Sequence, residues 1–239
     1  MTSNRLASTA AAALFLAAGA AWAASAPERP PVTGKATLKG AAAARRKIDT
    51  TVDPACAEIH REKLLSDDLI VSKSGGIKNV FVYVKTGVNG LFYQPGPPAR
   101  LVQNGCEYAP HVQGVLVGQA LNVINEDGTL HNVIASPSQN NPINFAQPVA
   151  GMKSVVRFRK PEIMVPFGCS VHPWMSAYVG VMENPFFAVT DDAGHFEIKG
   201  LPDGTFVLAA WHERLGTAEQ TIVVKNGHAH PAPFVFNAK

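Results

Sequence analysis

The chain has 239 residues, with 21 Lys and Arg against 18 Asp and Glu for a formal charge of +3, and no basic run beyond Arg45-Arg46-Lys47. That balance argues against a nucleic-acid surface. Charged residues make up 16% and hydrophobic ones 46%, which excludes wholesale disorder and allows one or two packed domains, while three cysteines are too few for a small disulfide scaffold.

In chain order, residues 1–23 have the pattern of a cleaved secretory signal. Arg5 is followed by an Ala-, Leu- and Phe-rich stretch from Leu6 to Ala21 and by Ala21-Trp22-Ala23, an A-x-A cleavage site. No second apolar stretch of that length follows, so the mature chain is expected to be periplasmic or secreted, with no membrane span, in an oxidising compartment. Asp53 to Leu65 is the best helix candidate, with Asp53 as cap and Pro54 near the first position. Elsewhere the period is two. Val80, Val82 and Val84 alternate with Phe81, Tyr83 and Lys85; Val112 to Val117, Leu121 to Ile124 and Val155 to Phe158 follow. Residues 135–151 (ASPSQNNPINFAQPVAG) are expected to form a long loop. From 184 onward the chain has hairpin grammar: a turn at Thr190–Gly194, a strand at His195–Lys199, a turn at Gly200–Gly204, then Thr205–Ala210. Short strands punctuated by Gly, Pro, Asn and Asp predict an all-β chain of antiparallel sandwiches.

The chemistry-bearing segment is Phe167-Gly168-Cys169-Ser170-Val171-His172-Pro173-Trp174-Met175, with Cys169, His172 and Met175 at C-x2-H-x2-M spacing. A thiolate, two imidazoles and a weak thioether make the His2Cys-plus-Met donor set of a blue-copper centre, whereas zinc has no use for Met. The remaining imidazole must come from elsewhere. His131, in Asn125-Glu126-Asp127-Gly128-Thr129-Leu130-His131-Asn132-Val133, is the candidate.

N-x-D-x3-H-N-V followed by F-x-C-x2-H-x2-M resembles the cupredoxins, and the short ligand loop with Pro173 after the second His is most like amicyanin. The resemblance covers residues 101–182. It implies a Greek-key β-sandwich holding one type 1 copper by His131, Cys169, His172 and Met175. It also implies that Asn132 supports the Cys loop by a hydrogen bond and that His172 is the electron port at an apolar docking face with Pro173 and Trp174. Ser176-Ala177-Tyr178-Val179 before Gly180 departs from the amicyanin pattern. With Cys169 on copper, Cys56 and Cys106 are expected to pair, closing a loop nominally worth about 3–4 kcal/mol in chain entropy. His111 and His212 are expected to be structural, and His228 and His230 to lie in a solvated turn.

Residues 32–40, 79–85 and 185–225 resemble a carboxypeptidase-regulatory-like, transthyretin-like β-sandwich, carried by Thr190-Asp191-Asp192-Ala193-Gly194-His195-Phe196-Glu197-Ile198 and Leu201-Pro202-Asp203-Gly204-Thr205-Phe206-Val207-Leu208. The resemblance implies a non-catalytic, prealbumin-like module over 32–90 and 184–239, with the copper domain either inserted into it or in tandem. The expected function is single-electron transfer between partner proteins such as a c-type cytochrome or a dehydrogenase, without catalysis. The alternatives are copper storage or delivery and a non-redox structural module.

Overall fold

Alternating side chains dominate from Val32 onward, and a strand is the backbone form that sends such a pattern to two faces. The computed structural model describes residues 29–61, 64–88 and 92–238; the signal expected at 1–23 lies outside them. The elements are β1 (Val32–Lys39), α1 (Pro54–Ile59), β2 (Phe81–Thr86), β3 (Ala99–Asn104), β4 (Glu107–Ala109), β5 (Val112–Leu116), β6 (Leu121–Asn125), β7 (His131–Ala135) and β8 (Ile143–Gln147), then β9 (Lys153–Val156), β10 (Glu162–Cys169), β11 (Ser176–Met182), β12 (Phe187–Val189), β13 (His195–Ile198), β14 (Gly204–His212), β15 (Gly216–Val224) and β16 (Phe234–Asn237). The chain is all-β apart from one short helix among the described residues.

Four sheets form two sandwiches. Sheets β13-β1-β16 and β12-β2-β14-β15 enclose a core that includes Val32, Ile77, Val82, Phe206, Leu208 and Phe234. Sheets β4-β3-β6-β9 and β5-β11-β10-β7-β8 enclose Leu101, Leu121, Val133, Phe167 and Val179. The strands nearest the two chain ends therefore share sheets with one another, and the strands of residues 99–182 share sheets among themselves. In the central pair, β3 runs parallel to β6 and β5 parallel to β11, so the chain crosses between sheets there.

The two sandwiches meet along β2. Its residues Phe81, Val82, Tyr83 and Val84 are all buried, which an alternating strand with one wet face would not allow. Val82 and Val84 enter the terminal core, while Phe81 and Tyr83 join Val112, Leu116, Met164, Met182 and Ala209 between the sandwiches. Two glycines permit the close approach. A Cβ at Gly114 would lie 2.3 Å from the Phe187 ring, and one at Gly180 would lie 2.7 Å from Phe81.

Two local expectations are corrected. The helix expected to reach Leu65 ends at Ile59, because Cys56 is its one buried residue and no apolar stripe continues beyond it. The loop expected over 135–151 contains β8, which pairs antiparallel with β7. Ile143, Phe145 and Gln147 carry an alternation there that the surrounding Asn and Pro residues obscure.

Candidate metal centre

The site is assembled at the start of β7 and the end of β10. The inward positions of β7 are His131, Val133 and Ala135, so strand alternation itself turns the His131 ring into the core. Before it, the turn from Asn125 is tied down from within. The Asn125 side chain donates to the carbonyls of Thr129 and Gln147, and the Asp127 amide donates to Asn125 Oδ1. Gln147 is in turn bonded to Gln103 and to the Val123 carbonyl, a buried polar frame under the turn. Cys169 ends β10 in register with Val133, which brings its sulfur to the same end of the sandwich as His131.

After Cys169 the chain turns tightly, with the Met175 amide donating to the His172 carbonyl at 3.0 Å. The turn folds the His172 ring back onto the site. Nδ1 of His131 lies 2.9 Å from Nδ1 of His172, and Cys169 Sγ lies 3.8 Å from the latter. Ligand atoms of His131, Cys169 and His172 all fall within 4.8 Å of one another, and all three residues are buried. Met175 is buried in the same core cluster as Cys169. The amides of Asn132 and His172 each donate to Cys169 Sγ at 3.4 Å.

Each imidazole is held from its other edge by a carboxylate. His131 Nε2 is 2.8 Å from Asp127 Oδ2, and His172 Nε2 is 2.9 Å from Asp53 Oδ2. Asp127 also accepts the amides of Gly105 and Cys106. Asp53 accepts the amides of Ala55 and Cys56 as the cap of α1, and the Thr129 hydroxyl. Neither carboxylate was singled out as a site residue from the sequence. Asp127 sits four residues before His131, a spacing that could have flagged it; Asp53 carried only a helix-cap signal.

The electrostatics follow from this frame. Burial disfavours an ionised Cys169, but the His131 ring and the amides of Asn132, His172 and Val171 outweigh it and pull the thiol down to about 6. Burial also opposes charge on His131, yet Asp127 and Cys169 overcome it and raise the ring to about 9. With each Nε2–H donated as a hydrogen bond to its aspartate, the two Nδ1 atoms are turned toward each other and toward the Cys169 sulfur. Three lone pairs converging in a buried space require a cation among them, either a proton or a metal. Two imidazole nitrogens and a soft sulfur fit copper, with zinc as the competing ion.

The other site expectations divide. Asn132 does bond to the Cys loop, but through its backbone amide; its side chain donates outward to Asn144. Cys56 and Cys106 form a disulfide. His172 was expected to reach the surface between Pro173 and Trp174, and it does not. It is 0% exposed, because α1 and the disulfide lie across its outer edge, with Cys56 Sγ 3.6 Å from Nε2. Pro173 is exposed, and half-buried Trp174 stacks obliquely near the His172 ring and donates its indole N–H to the Cys106 carbonyl. His111 is structural, bonded to the Ser176 carbonyl and Glu213.

No family model and no curated protein matches the chain. Among solved structures, a copper-containing nitrite reductase from Thermus scotoductus is 24% identical over 41% of this chain, with a TM-score of 0.32. The overlap spans 25% of that enzyme's length. A purple cupredoxin from Nitrosopumilus maritimus is 22% identical over 35% of this chain and 99% of its own, with a TM-score of 0.30. An amicyanin variant in its Cu(I) form is 15% identical over 42% of this chain and 98% of its own, with a TM-score of 0.32. Each overlap covers less than half of the chain.

Proposed function

We propose that this chain is an exported copper protein, periplasmic or secreted, that passes single electrons between partner proteins. His131, Cys169 and His172 would be its three strong donors to one type 1 copper, and Met175 would be the weak one. The observation that carries this reading is the convergence of two Nδ1 atoms and one thiolate-prone sulfur, all buried and within 4.8 Å. Copper supplies a one-electron couple there, with sulfur favouring Cu(I) and imidazole accepting Cu(II). The chain's part is to keep the donor set fixed through that change. Asp127 and Asp53 hold each imidazole by Nε2 so that Nδ1 faces inward. The amides of Asn132 and His172 steady the thiolate, and the surrounding core of Val133, Phe167 and Ala177 excludes water. Partners are redox proteins of the c-type cytochrome or dehydrogenase kind, and no chemistry on a small substrate is proposed for a single such centre.

The test is a visible and electron-spin-resonance spectrum after Cu(II) addition to the oxidised protein, with voltammetry on the same sample. An intense thiolate-to-copper band and a fast reversible wave are expected; a protein that takes up no Cu(II) or stays colourless overturns the reading. One observation favours copper storage or delivery instead: the His172 edge by which an electron would leave is buried under α1. Colourless Cu(I) binding with rapid loss to a chelator would mark that second role.

A further inference from the structure

The Cys56–Cys106 disulfide does more in this fold than tether a helix, because it lies across the outer edges of both site histidines. On one side, Cys56 Sγ, an Asp53 carboxylate oxygen and a His172 ring nitrogen are mutually within 4.8 Å. On the other, Cys106 Sγ, an Asp127 carboxylate oxygen and a His131 ring nitrogen are mutually within 4.8 Å. The S–S bond joins the two groups. Two linked sulfurs, each with one carboxylate beside it, therefore lie directly outside the inner donor set. As a disulfide the sulfurs carry no charge and are poor ligands; as thiolates they are strong ones.

We infer that reduction of this disulfide opens a second metal site, formed by the Cys56 and Cys106 thiolates with Asp53 and Asp127 beside them, for a soft cation such as Cu(I). Spacing supports it. A tetrahedral ion with metal–sulfur bonds of about 2.3 Å sets its donors roughly 3.7 Å apart, and each sulfur already has its carboxylate within 4.8 Å, so side-chain rotation would have to close only the remaining gap. Charge supports it too. Cys56 and Cys106 are fully buried, and a cation bound there would balance both the thiolates whose protons it displaces and the carboxylates beside them. The site's sulfurs are not among the inner donors, but its carboxylates are the ones that hold both imidazoles by Nε2, so the two sites share their supporting aspartates.

Creating the site is a two-electron step. A phosphine reductant takes up the oxygen of water to become a phosphine oxide, the S–S bond breaks, and the two sulfurs receive the two electrons and two protons. Metal binding then displaces the thiol protons into solvent.

The decisive experiment uses the full mature chain carrying Cys169→Ser, which removes the inner sulfur and leaves the outer pair. The variant is reduced with phosphine without oxygen, freed of reductant, and titrated with Cd(II), a soft and redox-inert probe; the unreduced variant is titrated in parallel. One Cd(II) per chain is expected after reduction and none before it, with Cys56 and Cys106 protected from alkylation only in the loaded sample. Should reduction loosen α1, tryptophan fluorescence reads its return, and recovery saturating at one Cd(II) per chain supports the site. Recovery indifferent to Cd(II), or reduced protein that takes up no more Cd(II) than unreduced protein while both thiols alkylate freely, overturns the inference.

Discussion

The central sandwich and the terminal sandwich both press two sheets around an apolar core, yet they bury different polar groups. The terminal one buries Thr190 and His212, and each is answered locally. Thr190 bridges the Ile77 carbonyl and the Val80 amide, and His212 accepts the Arg214 amide. The central one buries Gln103, Asn125, Asp127, His131, Gln147 and His172, bonded in series toward one end of the sandwich. A buried polar group is costly unless it is paired, so six of them concentrated beside a thiol set the central sandwich apart from an ordinary packed core. The contrast teaches that two modules of one architecture can divide structure from chemistry, and it can be attacked directly.

The largest effect is expected from Cys169→Ser. The intense visible band of the Cu(II)-loaded protein should vanish, because it arises from the sulfur, and an absorbance titration checks it. Retention of full colour would remove the central sandwich's claim to chemistry. Leu208→Ala, in the other core, should cost about 2–5 kcal/mol in a urea titration while leaving the Cu(II) spectrum unchanged. An altered spectrum would mean that the two modules are not separable in this sense.

A pH series sharpens the comparison from the terminal side. Burial first, then repulsion by His111 and Arg214, lowers His212 to about 4, so the folded chain keeps this ring neutral. The unfolded chain binds its proton from about 6.5 downward. Stability from this group is therefore complete above 6.5 and is lost as pH falls from 6.5 to about 4, a change of about 3 kcal/mol. His111 works in the opposite direction. Burial disfavours its charged form, but Glu213 outweighs that and raises it, so its contribution is present below 6.5 and is lost as pH climbs through the raised value. Thermal unfolding between pH 4 and 6.5 should lose its acid sensitivity in His212→Gln; an unchanged slope refutes the assignment. The smallest effect belongs to Met175→Leu, which should keep the colour and move only the reduction potential, read by voltammetry.

Much of the strand inventory was legible, because a period of two survives in short windows such as Val80–Lys85 and Leu121–Ile124. β8 was not, since its alternating residues are embedded in Asn and Pro that signal turns equally well. The Cys169–Met175 turn was legible because its donors are close in sequence. Asp53 was not: 119 residues separate it from His172, and its helix-cap role accounts for it fully at the local level.

Local order and side-chain chemistry, then, were determined by the sequence alone: an all-β chain, a soft-donor turn, a second imidazole near residue 131, and two cysteines left to pair. Only the tertiary structure decided that α1 closes over His172 and that the disulfide lies against both imidazoles. Those arrangements depend on contacts between distant segments, and a strand's periodicity says which face a residue occupies but not what will cover it.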